Sequence, residues 1–516
     1  MNRKQITRDM INPSYELFHR FSTSYHLIPL TIRVKADTLT PISLFQRFRT
    51  KKDCFLLESA EGNERQARYS IMGRDPLISV QCRGQTINMN MLHSIPDQLI
   101  ISKDTHSDPI KLIREILQLY KIPSELSTDG YRCGLTGYFA YDFIRYIETI
   151  PDNNNDELRL PDCNLMAPAQ VVVYDHLKHE MTLIQNIIVD TDSKTNEEQY
   201  TQAVNQLESL LNELISLDLE NMKINKTGDF SSTEFKIESS GFEANITKEH
   251  YMSMVERTKK YIKAGDIFQA VISQRFSTTC SGDSFSVYRS LRNVNPSPYL
   301  FYIQNQDACL AGASPEMLVR LTGSKLETCP IAGTRKRGNT VHEDEALAQD
   351  LCSDPKEMAE HAMLTDLARN DIGRIAKIGS VKVTEFAKVE HYSHVMHLVS
   401  LVEGELSTNK SGIDVLCSLL PAGTLSGAPK IRAMEIIDEL ENTRRGPYGG
   451  AAGYLSFDGS INTCITIRTA LITGGKIHVQ AGAGIVADSQ PESEYVESVN
   501  KAAAMIAAIE QAGEYL

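Results

Sequence analysis

The stretch Gly450-Ala-Ala-Gly-Tyr-Leu-Ser-Phe457, Asp458-Gly459, Ile461-Asn-Thr-Cys-Ile-Thr-Ile-Arg-Thr-Ala-Leu-Ile472, Gly474-Gly475, Lys476-Ile-His-Val-Gln-Ala-Gly-Ala-Gly-Ile-Val-Ala487 reads as three strands joined by two tight turns. Asp-Gly and Gly-Gly supply the positive φ that short hairpins need, so these strands pair antiparallel. Working outward, Asp266–Phe276 alternates, with Phe268, Ala270, Ile272 and Phe276 on one face and Gln269, Val271, Ser273 and Arg275 on the other. His250–Ala264 precedes it as a helix. Toward the N-terminus, Leu30–Lys35, Cys54–Leu57, Arg68–Met72 and Leu77–Cys82 are short strands, and Pro109–Tyr120 and Glu197–Ile215 are helical. Strands without regular helical crossovers predict an α+β fold, antiparallel sheets packed as a sandwich under peripheral helices. The polar segment 221–245 is the expected linker between an N-terminal part, 1–220, and a C-terminal part, 246–516.

With 516 residues, 41% of them hydrophobic, the chain can bury an active site. Its net charge of -13 and lack of a basic block make nucleic acid and anionic membranes poor partners. The ten cysteines contain no C-x-x-C pair, which argues against a zinc site or a disulfide framework and fits a cytoplasmic protein. No apolar run reaches membrane-spanning length.

Two distant segments put paired carboxylates on faces that should be apolar. Asp354-Pro-Lys-Glu357-Met-Ala-Glu360-His361-Ala-Met-Leu364 opens a helix through an N-cap Asp, a first-turn Pro and a capping-box Glu. Glu360 then shares the stripe of Leu364 and Leu367. Past Pro491, Ser493-Glu494-Tyr-Val-Glu497-Ser-Val-Asn-Lys501 repeats the Glu-x-x-Glu spacing, with Lys501 on the same face. Either these are solvated helix faces, or they converge as an oxygen-rich site for a hard cation such as Mg²⁺.

Within Ile461–Ile472 the alternation sets Arg468 beside Asn462, Cys464 and Thr466, where its fork could meet a carboxylate or simply lie at a sheet edge. Gln480, Gly482 and Gly484 share one face of the next strand, open to a ligand or serving strand twist. Gly482-Ala-Gly484-Ile-Val-Ala487 is no dinucleotide fingerprint, because strand continues through it and Pro491 follows. Gly423-Thr-Leu-Ser-Gly-Ala-Pro-Lys430 has the wrong spacing for a phosphate loop. It reads as a loop capped by Ser426, with Pro429 in the first turn of a helix Ile431–Leu440. His391, His394 and His397 could form a core as well as a metal site, and His397 carries protons only if it lies near the carboxylates.

Taken together, Pro330-Ile-Ala-Gly-Thr-Arg-Lys-Arg-Gly338, Glu360-His361 running to Asp366-Leu-Ala-Arg-Asn-Asp371, Thr424-Leu-Ser-Gly-Ala-Pro-Lys430 and Gln480-Ala-Gly-Ala-Gly484 resemble the chorismate-utilising enzymes. Leu56-Leu57-Glu58-Ser59 and Asn295-Pro-Ser-Pro298-Tyr299-Leu300 resemble the tryptophan-binding elements of the family's anthranilate-forming branch. The resemblance implies Mg²⁺ on Glu360 and Glu497, with Glu494 and Glu357 reaching its waters, and chorismate contacts at Gly333, Thr334, Thr424, Tyr448, Arg468, Gly482, Ala483, Gly484 and Lys501. It implies Glu357 as acid and His397 as base. Ala332 stands where aminodeoxychorismate-forming relatives carry a nucleophilic Lys, so ammonia would attack directly. Gln269 stands where isochorismate-forming relatives use a Lys to activate water, and a neutral amide is no such base. The implied reaction takes chorismate and ammonia to anthranilate and pyruvate, the first step of tryptophan biosynthesis, under feedback inhibition by tryptophan at Glu58, Ser59, Pro298, Tyr299 and Leu300. No cysteine lies in a Gly-x-Cys-x-Gly elbow, so the implied ammonia source is a separate glutamine amidotransferase subunit in a hetero-oligomer. The nearest alternatives are a synthase that stops at 2-amino-2-deoxyisochorismate and a non-catalytic tryptophan-binding subunit. A di-iron carboxylate bundle is more remote, since the second helix lacks the Glu-x-x-His partner.

Overall fold

The computed structural model describes residues 10–50, 52–59, 68–91, 108–126, 130–131, 133–190, 194–216, 234–238, 241–392 and 395–514. The strand ladders among them are antiparallel, as the meander predicted, and helices cover the sheets. Strands from both halves of the chain share sheets: Cys54–Glu58 lies beside Tyr299–Gln304, and Gly134–Phe139 beside Ala451–Ser456. Of the predicted linker, residues 221–233 and 239–240 lie outside the described residues. Its remainder includes Lys236–Ile237 and Glu243–Ala244, which pair with the strand Gln269–Ser281.

Alternation explains how the sheet is buried on both sides. Along Tyr299–Gln304, Phe301 and Ile303 enter one large apolar cluster while Leu300 and Tyr302 enter another. Phe55 against Cys54 and Leu56, and Leu310 against Cys309 and Ala311, repeat the division. The first cluster gathers strand residues such as Leu165, Val319 and Ile461. The second holds helical residues such as Phe45, Leu207, Phe285 and Ala508 against the strands. Among the described residues no helix is long and apolar enough to cross a membrane.

Three predicted elements differ. Arg68–Met72 and Leu77–Cys82 are one strand, Tyr69–Arg83, whose pairing is irregular near Asp75 at φ 55°. The strand expected from Asp266 begins at Gln269, the first residue of the ladder with Ala428, and the Phe268 side chain before it is 73% exposed although its N–H donates to Ala428 O. Ile461–Ile472 is two strands, Ile461–Ile465 and Thr469–Thr473. The first pairs with Met317–Thr322 and Ala451–Ser456, the second with Ala308–Ser314 and Lys476–Ile485.

That last break positions the candidate site. The neighbouring chain breaks at the same level, at Pro315-Glu316, between Ala308–Ser314 and Met317–Thr322. The two breaks are sewn together by Ile465 N–H donating to Glu316 O (3.0 Å) and Ala313 N–H donating to Arg468 O (3.0 Å). Paired interruptions of this kind re-aim side chains that a continuous ladder would hold on a regular face.

Candidate active site

Glu316 and Arg468 are therefore neighbours by backbone construction. Arg468 adopts φ 47°, a left-handed conformation uncommon for a non-glycine residue, rather than the strand position its alternation predicted. Burial draws its pKa down while the Glu316 charge opposes that. Glu316 is 7% exposed, and Thr424 Oγ1 donates to its Oε1 at 3.0 Å. Burial pushes its carboxyl up to about 8, despite the Thr424 bond and the charges of Arg468 and Lys501. At neutral pH this side chain is predominantly a neutral acid with a proton to give.

The strand Ile331–Lys336 is irregular between Ala332 and Thr334, with Gly333 at φ 65°. There His397 Nδ1 meets Gly333 O at 2.9 Å and Thr334 Oγ1 at 3.1 Å. A carbonyl only accepts, so Nδ1 carries the hydrogen and Nε2 keeps its lone pair. Burial, and secondarily Arg468, holds this imidazole below its ordinary pKa, against the Gly333 bond. His397 is thus a neutral base within the field of Arg468. His391 instead lies 3.9 Å from Asp344, and His394 lies outside the described residues, so the histidine triplet forms no common centre among the described residues.

The acidic helices are Pro355–Gly373 and Pro491–Glu510. Asp354 caps the first as predicted, accepting from Lys356 N and Glu357 N, and Pro355 fills its first turn. Glu357 closes no capping box; its Oε1 accepts from Arg335 Nη1 at 3.3 Å. Glu360 is half-buried, and its carboxyl is pushed up by desolvation, then by Glu357 and Glu497, against Lys501 and Lys356. Glu494 is pushed up by burial and by Glu497, against a Ser489 bond and the same two lysines. Carboxylates from the two helices thus repel one another across a shared space. Glu497 and Lys501 form a 2.7 Å ion pair with both side chains about half exposed, so this rim is wetter than the apolar stripe suggested. Among the described residues no three acidic, thiol or imidazole side chains close around an ion by themselves. The like-charged donors suit a hard cation that takes its remaining oxygens from water and ligand.

On Lys476–Ile485 the glycines do two separate jobs. A Cβ on Gly482 would lie 2.4 Å from Ile272 O, and Gly482 O accepts from Lys501 Nζ at 3.2 Å. A Cβ on Gly484 would lie 2.5 Å from Gln269 Nε2, so the space expected to be open there holds this side chain. Gln269 is buried with its Oε1 unpartnered. Ala483 points the other way, into the apolar cluster of Tyr251, Ile436 and Ile485, and offers a ligand only backbone. Ser426 does not cap the following helix. Its hydroxyl donates to Ala422 O, and Lys430–Leu440 begins behind Pro429 with no side-chain cap.

The chorismate binding enzyme profile matches residues 53–507. The chain belongs to the chorismate binding enzyme family. Within the family it is 46% identical to anthranilate synthase component 1 of Acetivibrio thermocellus, over 98% of this chain and 100% of that protein. It is 42% identical to the Aquifex aeolicus protein of the same name, over 98% and 99%. The crystal structure of anthranilate synthase component I from Streptococcus pneumoniae superimposes with a TM-score of 0.71 at 35% identity, covering 92% of this chain and 99% of that one. The Escherichia coli menaquinone-specific isochorismate synthase, 18% identical, shares the fold with a TM-score of 0.68 over 96% and 99%.

In this family member the segments expected to bind tryptophan are brought together by strand pairing, Glu58 opposite Leu300. Glu58 is buried and accepts from Ser70 Oγ (2.8 Å), Tyr288 OH (2.6 Å) and Arg292 Nε (3.1 Å). Ser59 follows at the strand end and Pro298 precedes the partner strand. Leu300 is buried in the helix-covered cluster, whereas Tyr299 faces the opposite side and donates to Asn462 Oδ1 at 3.2 Å. Adjacent strand side chains face opposite ways, so a ligand met by both Tyr299 and Leu300 would touch the backbone of at least one of them. Sequence reading missed Glu316. Its signal was Pro315 interrupting a largely apolar stretch, Ala308–Leu321, immediately before a carboxylate.

Proposed function

We propose that this chain converts chorismate and ammonia to anthranilate, pyruvate and water. What carries the reading is a buried carboxyl pushed up toward its acid form, Glu316, and an imidazole held toward its neutral form, His397, both within the field of Arg468. Arg468 binds a carboxylate of chorismate, with Gly333, Thr334, Tyr448 and Lys501 completing the cradle. Ammonia adds at ring C2 and the ring double bond shifts. The C4 hydroxyl takes the Glu316 proton and leaves as water. Glu316, rather than Glu357, is the acid in this reading, because Glu316 is buried with its carboxyl pushed up to about 8, whereas the Glu357 side chain is engaged by Arg335. His397 Nε2 then removes the C2 proton, the C3 enolpyruvyl ether leaves and is protonated to pyruvate, and the ring gains aromaticity. Gln269 offers no base to activate water, which leaves ammonia as the nucleophile.

Mg²⁺ would be held by Glu360 and Glu497, with Glu357 and Glu494 reaching its waters, and when bound supplies positive charge to one carboxylate of the substrate. The names of the relatives, component 1, support a second component, here a glutamine amidotransferase subunit that delivers ammonia in a cytoplasmic hetero-oligomer. The cluster around Glu58 supports a tryptophan site in the N-terminal part, and hence feedback inhibition. The test is the isolated chain with chorismate, Mg²⁺ and an ammonium salt, following anthranilate fluorescence and pyruvate together. Equimolar release of both is expected. Amination without pyruvate would instead favour the shorter reaction ending at 2-amino-2-deoxyisochorismate.

A further inference from the structure

We propose that Arg445, held by Glu441, is a positioning residue that fixes the Thr424 turn and Tyr448 against the strand Gln269–Ser281. This rests on the functional reading above. Arg445 is 2% exposed and spends four donors in three directions. Its Nε and Nη2 reach Glu441 at 2.9 and 2.6 Å, Nη1 reaches Leu425 O at 2.7 Å, and Nη2 also reaches Val271 O at 2.6 Å. Leu425 closes the short turn Gly423–Leu425 that carries Thr424, the donor to Glu316. Val271 lies two residues from Gln269, and its own N–H donates to Ser426 O.

Glu441 extends the node to the glycine strand. Its Oε1 accepts from Ser273 N and Ser273 Oγ, both at 2.8 Å, and Ser273 Oγ accepts from Gln480 Nε2 at 2.8 Å. The guanidinium lies 4.6 Å from the Tyr141 ring and 5.7 Å from the Tyr448 ring. One planar cation therefore sets the separation between the Thr424 turn, the Gln269 strand and Tyr448. An ammonium could hold only part of this, because a point charge cannot fork toward two carbonyls and a carboxylate in one plane. A buried pair also costs desolvation, so stability alone is a weak reason for it, while precise placement of reacting groups is a strong one.

The experiment is a double-mutant cycle on kcat in the ammonium-dependent assay, using R445K, T424V and R445K/T424V in the full chain, with circular dichroism confirming a folded protein. R445K should lower kcat about 10- to 100-fold, the scale of a displacement near 1 Å. The double variant should fall no further than the more impaired single variant. Wild-type kcat in folded R445K, or losses that multiply, would overturn the proposal. Should R445K fail to fold, the same cycle with E441Q decides by the same criterion. No turnover by the wild-type chain would overturn the functional reading and this inference with it, whereas turnover without coupling overturns this inference alone.

Discussion

Glu58 and Glu316 are both 7% exposed, yet the protein treats them in opposite ways. Glu58 receives a serine hydroxyl, a tyrosine hydroxyl and a guanidinium, three donors that fix the position of its side chain. Glu316 receives one threonine hydroxyl and sits where two strands break, with its proton retained. Burial therefore does not by itself decide what a carboxyl does. The number and charge of the donors around it do.

E316Q should have the largest effect, lowering kcat about 10²- to 10⁴-fold at neutral pH in the ammonium assay, the usual worth of a positioned acid. A comparable loss in E58Q would break the contrast. The same substitution tests the retained proton through stability. Because the folded pKa of Glu316 is raised from 4.5 to about 8, its favourable contribution is complete below about 4.5 and is lost as pH rises through about 8. Thermal melts should show the wild type losing stability relative to E316Q across that window; parallel curves would mean the carboxyl is ionised throughout. Glu360 lies between the two cases, partly buried among like charges. E360Q should raise the Mg²⁺ concentration for half-maximal rate about 10- to 100-fold, read by titrating Mg²⁺ at saturating chorismate. E58Q should cost about 1–3 kcal/mol in denaturant unfolding, leave kcat near wild type and abolish inhibition by tryptophan. The smallest effect on turnover belongs to S59L, which should relieve inhibition while kcat stays unchanged; full sensitivity to tryptophan would count against a ligand at this strand end.

Much of the architecture was readable along the chain. The Asp458-Gly459 and Gly474-Gly475 turns fixed antiparallel pairing, and Asp354-Pro355 marked the start of the first acidic helix, because turn and cap chemistry is local. The acidic pairs were legible as anomalies on faces that should be apolar. Other parts of the site were not. Periodicity predicted one unbroken strand through Arg468, and it cannot register that a chain leaves one set of partners for another, since both pieces alternate equally well. Gly484 looked like open space because nothing in its own segment reveals that Gln269 occupies it.

The sequence by itself determined the fold class, the family and the set of residue types available for chemistry, since turn signals, caps and motif spacing act over a few neighbours. Only the tertiary structure decided which carboxyl keeps a proton. That choice depends on desolvation and on the few donors that arrive from distant segments, here Thr424 and Arg468 at Glu316, and those long-range neighbours are set by how strands pair rather than by what lies beside a residue in the chain.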